Sequence, residues 1–271
     1  MTSRYRRWLR QQNLDAIRQR AASGDTAAQC DLGMMYTKGE GVRQSDTQAA
    51  AWYRKAAEQG DPRGQLGLGA KYYYGLGVPQ DYTQAAAWYL KAAVKGEREA
   101  QRLLGGLYYF GHGVPPNYAQ AAAWYCHAAV QDDHSAQRLL GDLYYFGRGV
   151  PQEYTHAAVW YRKAAEQGNL AALLSLGYLY STGRGVPQDY AEAYFWFEIA
   201  HVTSKRAEFD LVGLVLFGRR VDVPIAGKGE TVDLASTEDR DEAASHLTPA
   251  DLSRVQERAR KWSEDHPAKP Q

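Results

Sequence analysis

The sequence predicts an all-α protein, a linear array of stacked helix pairs, and three observations carry that prediction. Trp52, Trp88, Trp124, Trp160 and Trp196 follow one another at intervals of 36 residues, and a constant period of this kind marks a repeat architecture. Within the third period Ala100, Leu104, Leu107 and Tyr108 stand at i, i+4, i+7 and i+8, one face of a helix. A Gly-x-Gly-Val-Pro phrase then returns as Gly75–Pro79, Gly111–Pro115, Gly147–Pro151 and Gly183–Pro187. Its first glycine suits the left-handed residue after a helix, and its proline stops that helix from resuming.

Residues 1–23 read as a worn second half-repeat that caps the array, because Gly24 precedes Gly60 by one period and Ala16–Gln19 takes the place of Trp52–Lys55. An array needs such ends with a polar outer face. Five full units follow, 24–59, 60–95, 96–131, 132–167 and 168–203. Gly33, Gly69, Gly105, Gly141 and Gly177 recur beside the apolar stripe. A helical glycine costs about 1 kcal/mol relative to alanine, so its recurrence implies that a neighbouring helix approaches too closely for a Cβ.

The second helix of a unit begins at Asp81, Asn117, Glu153 or Asp189, and Asp81 with Gln84, Asn117 with Gln120 and Asp189 with Glu192 have N-cap to N3 spacing. An alanine block then leads to the Trp-Tyr pair, in which both rings are expected to be buried between units. The first unit departs from the pattern, with Arg43 for the turn proline and Asp46 where Tyr82 stands one period later. A looser turn is expected there.

The pattern decays after residue 203. Gly213 still follows Gly177 by 36 residues, which makes 204–218 a degenerate repeat helix. Residues 219–247 read as an insertion or loop, either a short hairpin over Val221–Val223 and Thr231–Leu234 or a disordered loop, since Pro224 weakens a strand and Ser236–Glu242 is mostly polar. A C-terminal capping helix and tail occupy 248–271, opened by Thr248-Pro249 and carrying Leu252, Val255, Ala259 and Trp262 on its apolar face.

Composition limits the partners. Of 271 residues 45% are hydrophobic and 23% charged, with no apolar run long enough for a membrane span. Lysine plus arginine number 32 against 31 acids, a net charge of +1, which disfavours a partner held by phosphate neutralisation. The basic N-terminus has no apolar h-region, so no signal peptide is expected and the chain reads as cytoplasmic. Cys30 and Cys126 lie nearly three repeats apart, too far for a disulfide, and are expected to be free thiols in a reducing compartment.

The phrases Ala100-x-x-x-Leu104-Gly105-x-Leu107-Tyr108, Gly111-x-Gly113-Val114-Pro115 and Ala121-Ala122-x-Trp124-Tyr125-x-x-Ala128-Ala129 closely resemble the Sel1-like repeat, a relative of the tetratricopeptide repeat. The resemblance covers 24–203. It implies a right-handed α-α solenoid of five Sel1-like helix-turn-helix repeats with capping helices at both ends. It also implies an adaptor that organises protein assemblies, often in bacteria. A cysteine-rich branch of the family is linked to penicillin binding or β-lactam hydrolysis, but this chain lacks the regular cysteine pairs of that branch.

Subtracting the repeat stripe from the first helices leaves positions able to meet a ligand: Arg102, Arg138, Asp142 and Tyr178, with Tyr73, Tyr109 and Tyr145 at the helix ends. In tetratricopeptide relatives the first helices line the concave face, so by analogy these seven residues form the candidate partner-binding surface. Tyrosine and arginine suit such surfaces. The other reading is that the tyrosines, with Phe110 and Phe146, are packing between units.

Other constellations fail on context. The Gly-x-Gly turns follow no strand and carry no Gly-Lys-Ser or Gly-Lys-Thr, so they are turns rather than phosphate loops. His112, His127, His134 and His156 lack metal-ligand spacing. No nucleophile signature stands out, and no catalytic residue, cofactor or metal is assigned. The leading function is a non-catalytic scaffold that binds a protein or peptide. Two alternatives are an enzyme or binder acting on β-lactam or peptidoglycan-type ligands, and an RNA-binding helical repeat, which the charge balance disfavours.

Overall fold

The computed structural model describes residues 14–211 and 238–266. Among the described residues every regular element is a helix. The chain divides into two compact units, Met1–Gln131 and Asp132–Gln271. In the first, a helix over 14–22 (α1) leads into α2 (Thr26–Lys38), α3 (Asp46–Glu58), α4 (Pro62–Tyr74), α5 (Tyr82–Ala93), α6 (Arg98–Phe110) and α7 (Tyr118–Ala129). The second holds α8 (His134–Phe146), α9 (Tyr154–Glu166), α10 (Leu170–Thr182), α11 (Tyr190–Leu211), α12 (Glu238–Ser245) and α13 (Pro249–Asp265). Within each unit the repeats are helix pairs, and the second helix of one pair also packs on the first helix of the next, as α3 does on α4, α5 on α6 and α9 on α10.

Caps fix where these helices start. The Asp81 carboxylate accepts from the backbone N–H groups of Thr83 and Gln84 at 2.9 and 3.0 Å, and the Asn117 side-chain oxygen accepts from Gln120 at 3.0 Å. These bonds satisfy donors that the first helical turn leaves open. The turns use both glycines. Gly111 closes α6 at φ 74°, and Gly113 at φ 70° lies so close to the preceding repeat that a Cβ there would sit 2.2 Å from the carbonyl carbon of Tyr82. Within each unit the turn of one repeat therefore rests on the start of the second helix of the repeat before it, Gly77 on Asp46, Gly113 on Tyr82 and Gly185 on Tyr154.

Two expectations are corrected and one is sharpened. The first turn is not loosened by Arg43, since Ser45 N–H donates to Tyr36 O at 2.9 Å as Asp81 N–H does to Tyr72 O at 2.9 Å. The helical glycines do meet a neighbouring helix too closely for a Cβ, first through a ring and then through backbone, Ala85 O at 3.4 Å from a Cβ on Gly69 and Ala121 O at 3.3 Å from one on Gly105. A Cβ on Gly69, Gly105 or Gly141 would sit 2.7 Å from Cδ1 of Tyr89, Tyr125 or Tyr161, the tyrosine of the same repeat's second helix. The Trp-Tyr pair also divides its roles. Tyr89, Tyr125 and Tyr161 are fully buried, whereas Trp52, Trp88, Trp124 and Trp160 are half-buried on the outer side. Lys55, Lys91 and Lys163 lie over Trp52, Trp88 and Trp160 with Nζ 4.1, 3.9 and 4.7 Å from the ring centroid, which shields those indoles without burying them.

The end of the array also differs from the sequence reading. α11 runs unbroken from Tyr190 through Leu211, past the place where earlier repeats turn at a glycine and this chain has Ser204. No separate first helix begins at 205, and the rest of the expected 204–218 helix, like the hairpin over 221–234, lies outside the described residues. Within 219–247, the stretch 238–245 is helix α12, which packs on α11 with Ala243 buried and Arg240 Nη1 3.4 Å from Glu198 Oε2. His246 follows α12 and stacks on Tyr190, ring centroids 3.9 Å apart. That repeats the stack of His112 on Tyr82 at 4.9 Å, so α12 stands where the first helix of a sixth repeat would stand. α13 completes the cap as expected, with Thr248 as N-cap, Pro249 in the first turn and Val255 and Ala259 buried.

Candidate functional site

α4, α6 and α8 each end in a pair of aromatic residues, Tyr73-Tyr74, Tyr109-Phe110 and Tyr145-Phe146, and within each unit a later turn reaches back to the first member of a pair, His112 to Tyr73 and Arg184 to Tyr145. In the first unit Tyr73 meets Tyr74 and Tyr82 edge-on at 4.9 and 5.1 Å, and its hydroxyl lies 3.4 Å from His112 Nδ1. Tyr109 packs edge-on against Phe110 and Tyr118 at 4.9 and 5.1 Å. The second members stay outside, with Tyr74 62% and Phe110 66% exposed. Arg102, one helical face away, is half-buried and 3.6 Å from Glu99.

In the second unit α8 brings three of the candidates together. Arg138 closes on Asp142 Oδ2, and Tyr161 donates its hydroxyl to Asp142 Oδ1 at 2.7 Å. Asp142 is only 8% exposed, and burial raises its carboxyl from the usual 3.8 to about 6 against the opposing pull of the Arg138 guanidinium. Tyr145 is buried as well, at 3% exposure, and burial raises its phenol. Asp142 and Tyr145 are therefore buried side chains and not exposed contact positions as expected, their polar atoms being taken up by Arg138, Tyr161 and Arg184. Tyr178 on α10 is half-buried, its ring 5.8 Å from the Arg184 guanidinium carbon.

Two features escape the stripe-subtraction reading. Arg184 occupies the variable place of Gly183-Arg184-Gly185, a position set aside as turn, and its Nη1 donates to the Tyr145 hydroxyl at 2.8 Å. The other is a run from 103 to 131 that contains no Asp, Glu, Lys or Arg yet presents Phe110, Tyr118 and Val130 to solvent. The signal was present in the sequence as a gap in charge.

The remaining chemistry is dispersed. Among the described residues no three His, Cys, Asp or Glu side chains converge as metal ligands. His127 leans on Trp124 at 5.6 Å, His134 Nδ1 lies 3.2 Å from Asn169 Nδ2, and His156 Nδ1 is 2.7 Å from Glu153. Both cysteines are free. Cys30 is buried with Sγ 3.5 Å from Asp61 Oδ1, and burial pushes its thiol up to about 12, which makes it unreactive. A cleft of about 540 Å³ opens beside Tyr190 and His246. Its two arginines are already paired, Arg254 with Asp251 at 3.3 Å and Arg258 with Glu192. No helix of the described residues is long and apolar enough to cross a membrane.

The Sel1 repeat profile matches five successive segments, 26–61, 62–96, 98–133, 134–169 and 170–200. The chain belongs to the Sel1 repeat family. Its members are generally interaction scaffolds built as α-α solenoids, the fold class of this all-helical chain. Among solved structures it is similar to c5321, a protective antigen of uropathogenic Escherichia coli strains with an SLR fold. That match has 35% identity and a TM-score of 0.69 over 93% of this chain and 56% of the antigen. The chain thus spans little more than half of the antigen's length. It is also similar to a Sel1 repeat protein from Oxalobacter formigenes, at 29% identity and a TM-score of 0.64 over 89% of each chain. Among curated proteins none matches.

Proposed function

We propose that this Sel1 repeat chain is a non-catalytic scaffold that binds a protein or peptide partner along the edge where its first helices end. The observation that supports this is the exposure of large aromatic side chains at one repeat position: Tyr74 and Phe110 are 62% and 66% exposed. Isolated exposed apolar residues are ordinary, but a patch repeated on successive units marks an interaction surface. In the first unit the candidate residues Tyr73 and Tyr109 lie beside these rings, and Arg102, Arg138, Asp142, Tyr145 and Tyr178 are the further candidate positions of the first helices. The reading assigns no catalytic residue or cofactor, needs no nucleic acid, and places the chain in the cytoplasm of a bacterium.

The test is affinity capture followed by mass spectrometry, with the whole chain compared with a Tyr74→Ser, Phe110→Ser variant of equal helicity. Both substitutions are at exposed ring positions, so the fold is expected to survive them. Loss of a reproducible partner from the variant is the expected result. Equal recovery by both forms would remove this edge from the reading.

A further inference from the structure

Arg184 is held by tyrosines rather than by a carboxylate, as Arg162 is by Tyr180, and it is the one of the two that stands in a turn between helices. The left-handed glycines on either side, Gly183 at φ 69° and Gly185 at φ 72°, fix the backbone that carries it. Its guanidinium donates to the Tyr145 hydroxyl at 2.8 Å, and its central carbon lies 5.7 Å from the Tyr154 ring and 5.8 Å from the Tyr178 ring. Among the described residues no carboxylate pairs with it, whereas Arg138, Arg240 and Arg258 meet Asp142, Glu198 and Glu192. The residue is nevertheless exposed. A guanidinium has five N–H donors in a planar fork, and one nitrogen of this one is engaged with Tyr145. The aromatic surround limits its rotamers before any ligand arrives, which removes much of the ordering cost of binding.

The arrangement is a repeat feature carrying a local charge. In the third repeat the same turn position is His112, stacked on Tyr82 with Nδ1 near the Tyr73 hydroxyl. The fourth and fifth repeats have arginine there, Arg148 and Arg184. Arg148 lies over the Phe146 ring at 5.2 Å. The nearby carboxylate of Asp142 is buried and bound to Arg138 and Tyr161, so it does not face an incoming anion.

We infer that Arg184, cradled by Tyr145, Tyr154 and Tyr178, is the docking point for a carboxylate side chain of an acidic peptide segment. This rests on the scaffold reading and names the partner's chemistry. A carboxylate needs one planar fork and gains two parallel N–H···O bonds from it. A nucleic-acid backbone needs many cations in a row, which a chain with a net charge of +1 does not supply. Tyrosine rings beside the fork add apolar contact for the residues flanking the acid.

The probe is a phage-displayed library of random dodecapeptides panned on the whole chain and, in parallel, on Arg184→Gln and Arg184→Lys. Enrichment of Asp- or Glu-containing peptides on the unaltered chain is expected. A synthetic copy of the best one should lose about tenfold or more in affinity on Arg184→Gln or on Glu→Gln in the peptide. Arg184→Lys and Tyr145→Phe should fall in between, because each keeps either the charge or the fork but not the held geometry. An uncharged consensus, affinity within about twofold on Arg184→Gln, or equal displacement by inorganic phosphate would each overturn the inference. Uncharged peptides whose binding is lost in the Tyr74→Ser, Phe110→Ser variant would leave the scaffold edge intact while removing the arginine. No selectable peptide at all would count against both.

Discussion

Lys71 and Asp46 substitute together for a leucine and a tyrosine of the repeat. Lys71 lies one period before Leu107, at a buried core position, and is 5% exposed by side chain; its Nζ meets Asp46 Oδ1 at 2.7 Å. Asp46 lies one period before Tyr82, so each departure answers the other across α3 and α4. Removing one partner of a buried pair leaves a desolvated charge, whereas replacing both can be neutral. Asp46→Ala should therefore destabilise by about 2–4 kcal/mol, while the double change Lys71→Leu, Asp46→Tyr should lie within about 1 kcal/mol of the starting chain. Chemical denaturation of both singles and the double measures this. Additive losses would mean that the two sites are independent.

The division of labour in the Trp-Tyr pair gives an order of stability effects. Tyr125→Ala should cost about 3–5 kcal/mol, because its fully buried ring lies against Gly105. Trp124→Ala should cost clearly less, since the indole is half-buried and next to His127. The reverse order in urea melts would show that the indole, not the phenol, is the keystone of the repeat.

Asp142 makes stability depend on pH with an uncommon sign. Its folded carboxyl titrates near 6 instead of 3.8, so between those values the folded chain binds the proton more tightly than the unfolded chain. The contribution of this group is largest below about pH 4 and is lost as pH rises through about 6, by an amount on the order of 3 kcal/mol. Melting curves of the chain and of Asp142→Asn across pH 4–7 isolate it. The difference in stability between them should shift in favour of the asparagine variant as pH rises; a constant difference would mean that Arg138 holds the carboxyl at its ordinary value.

A glutamine relay links the ends of the helix pairs in the first, third and fourth repeats and is broken in the second. Gln101 donates to Ala93 O at 3.1 Å and accepts from Gln131 at 2.7 Å, and Gln59 donates to Gln29 Oε1 at 2.9 Å in the same way. In the second repeat the donor position is Lys95, which reaches Gly60 O instead and leaves the buried Oε1 of Gln65 without a partner. An unsatisfied buried acceptor costs about 1–3 kcal/mol. Lys95→Gln should thus raise stability by up to about that amount, read as an increase in denaturation midpoint with an unchanged slope. No change would mean that the acceptor is met by water.

The period, the turns and the helix caps were legible because each rests on local rules: glycine for positive φ at Gly111 and Gly113, and Asp81 or Asn117 for open N–H groups. Which ring of the pair is buried was not, since tryptophan and tyrosine both suit a core and only the lysine one turn away hints that the indole is outside. α12 was hidden because Glu238–Ser245 is mostly polar and its helix is held by Ala243 and Arg240 against α11, contacts between residues some forty apart. Arg184 was hidden for the opposite reason. Its place in a recognisable turn drew attention to the glycines that shape the backbone and away from the side chain between them.

The substitution of His246 for a turn residue has a kinetic consequence. Tyr82 and His112 are 30 residues apart in the chain, and Tyr190 and His246 are 56 apart, although the two stacks are alike. Loop closure grows costlier with the length of chain enclosed, and contacts between distant residues form late. The five repeats can assemble neighbour on neighbour, and the C-terminal cap then closes on a surface they have already built. During synthesis, the face of α11 on which α12 and α13 pack stays bare until those two helices have emerged.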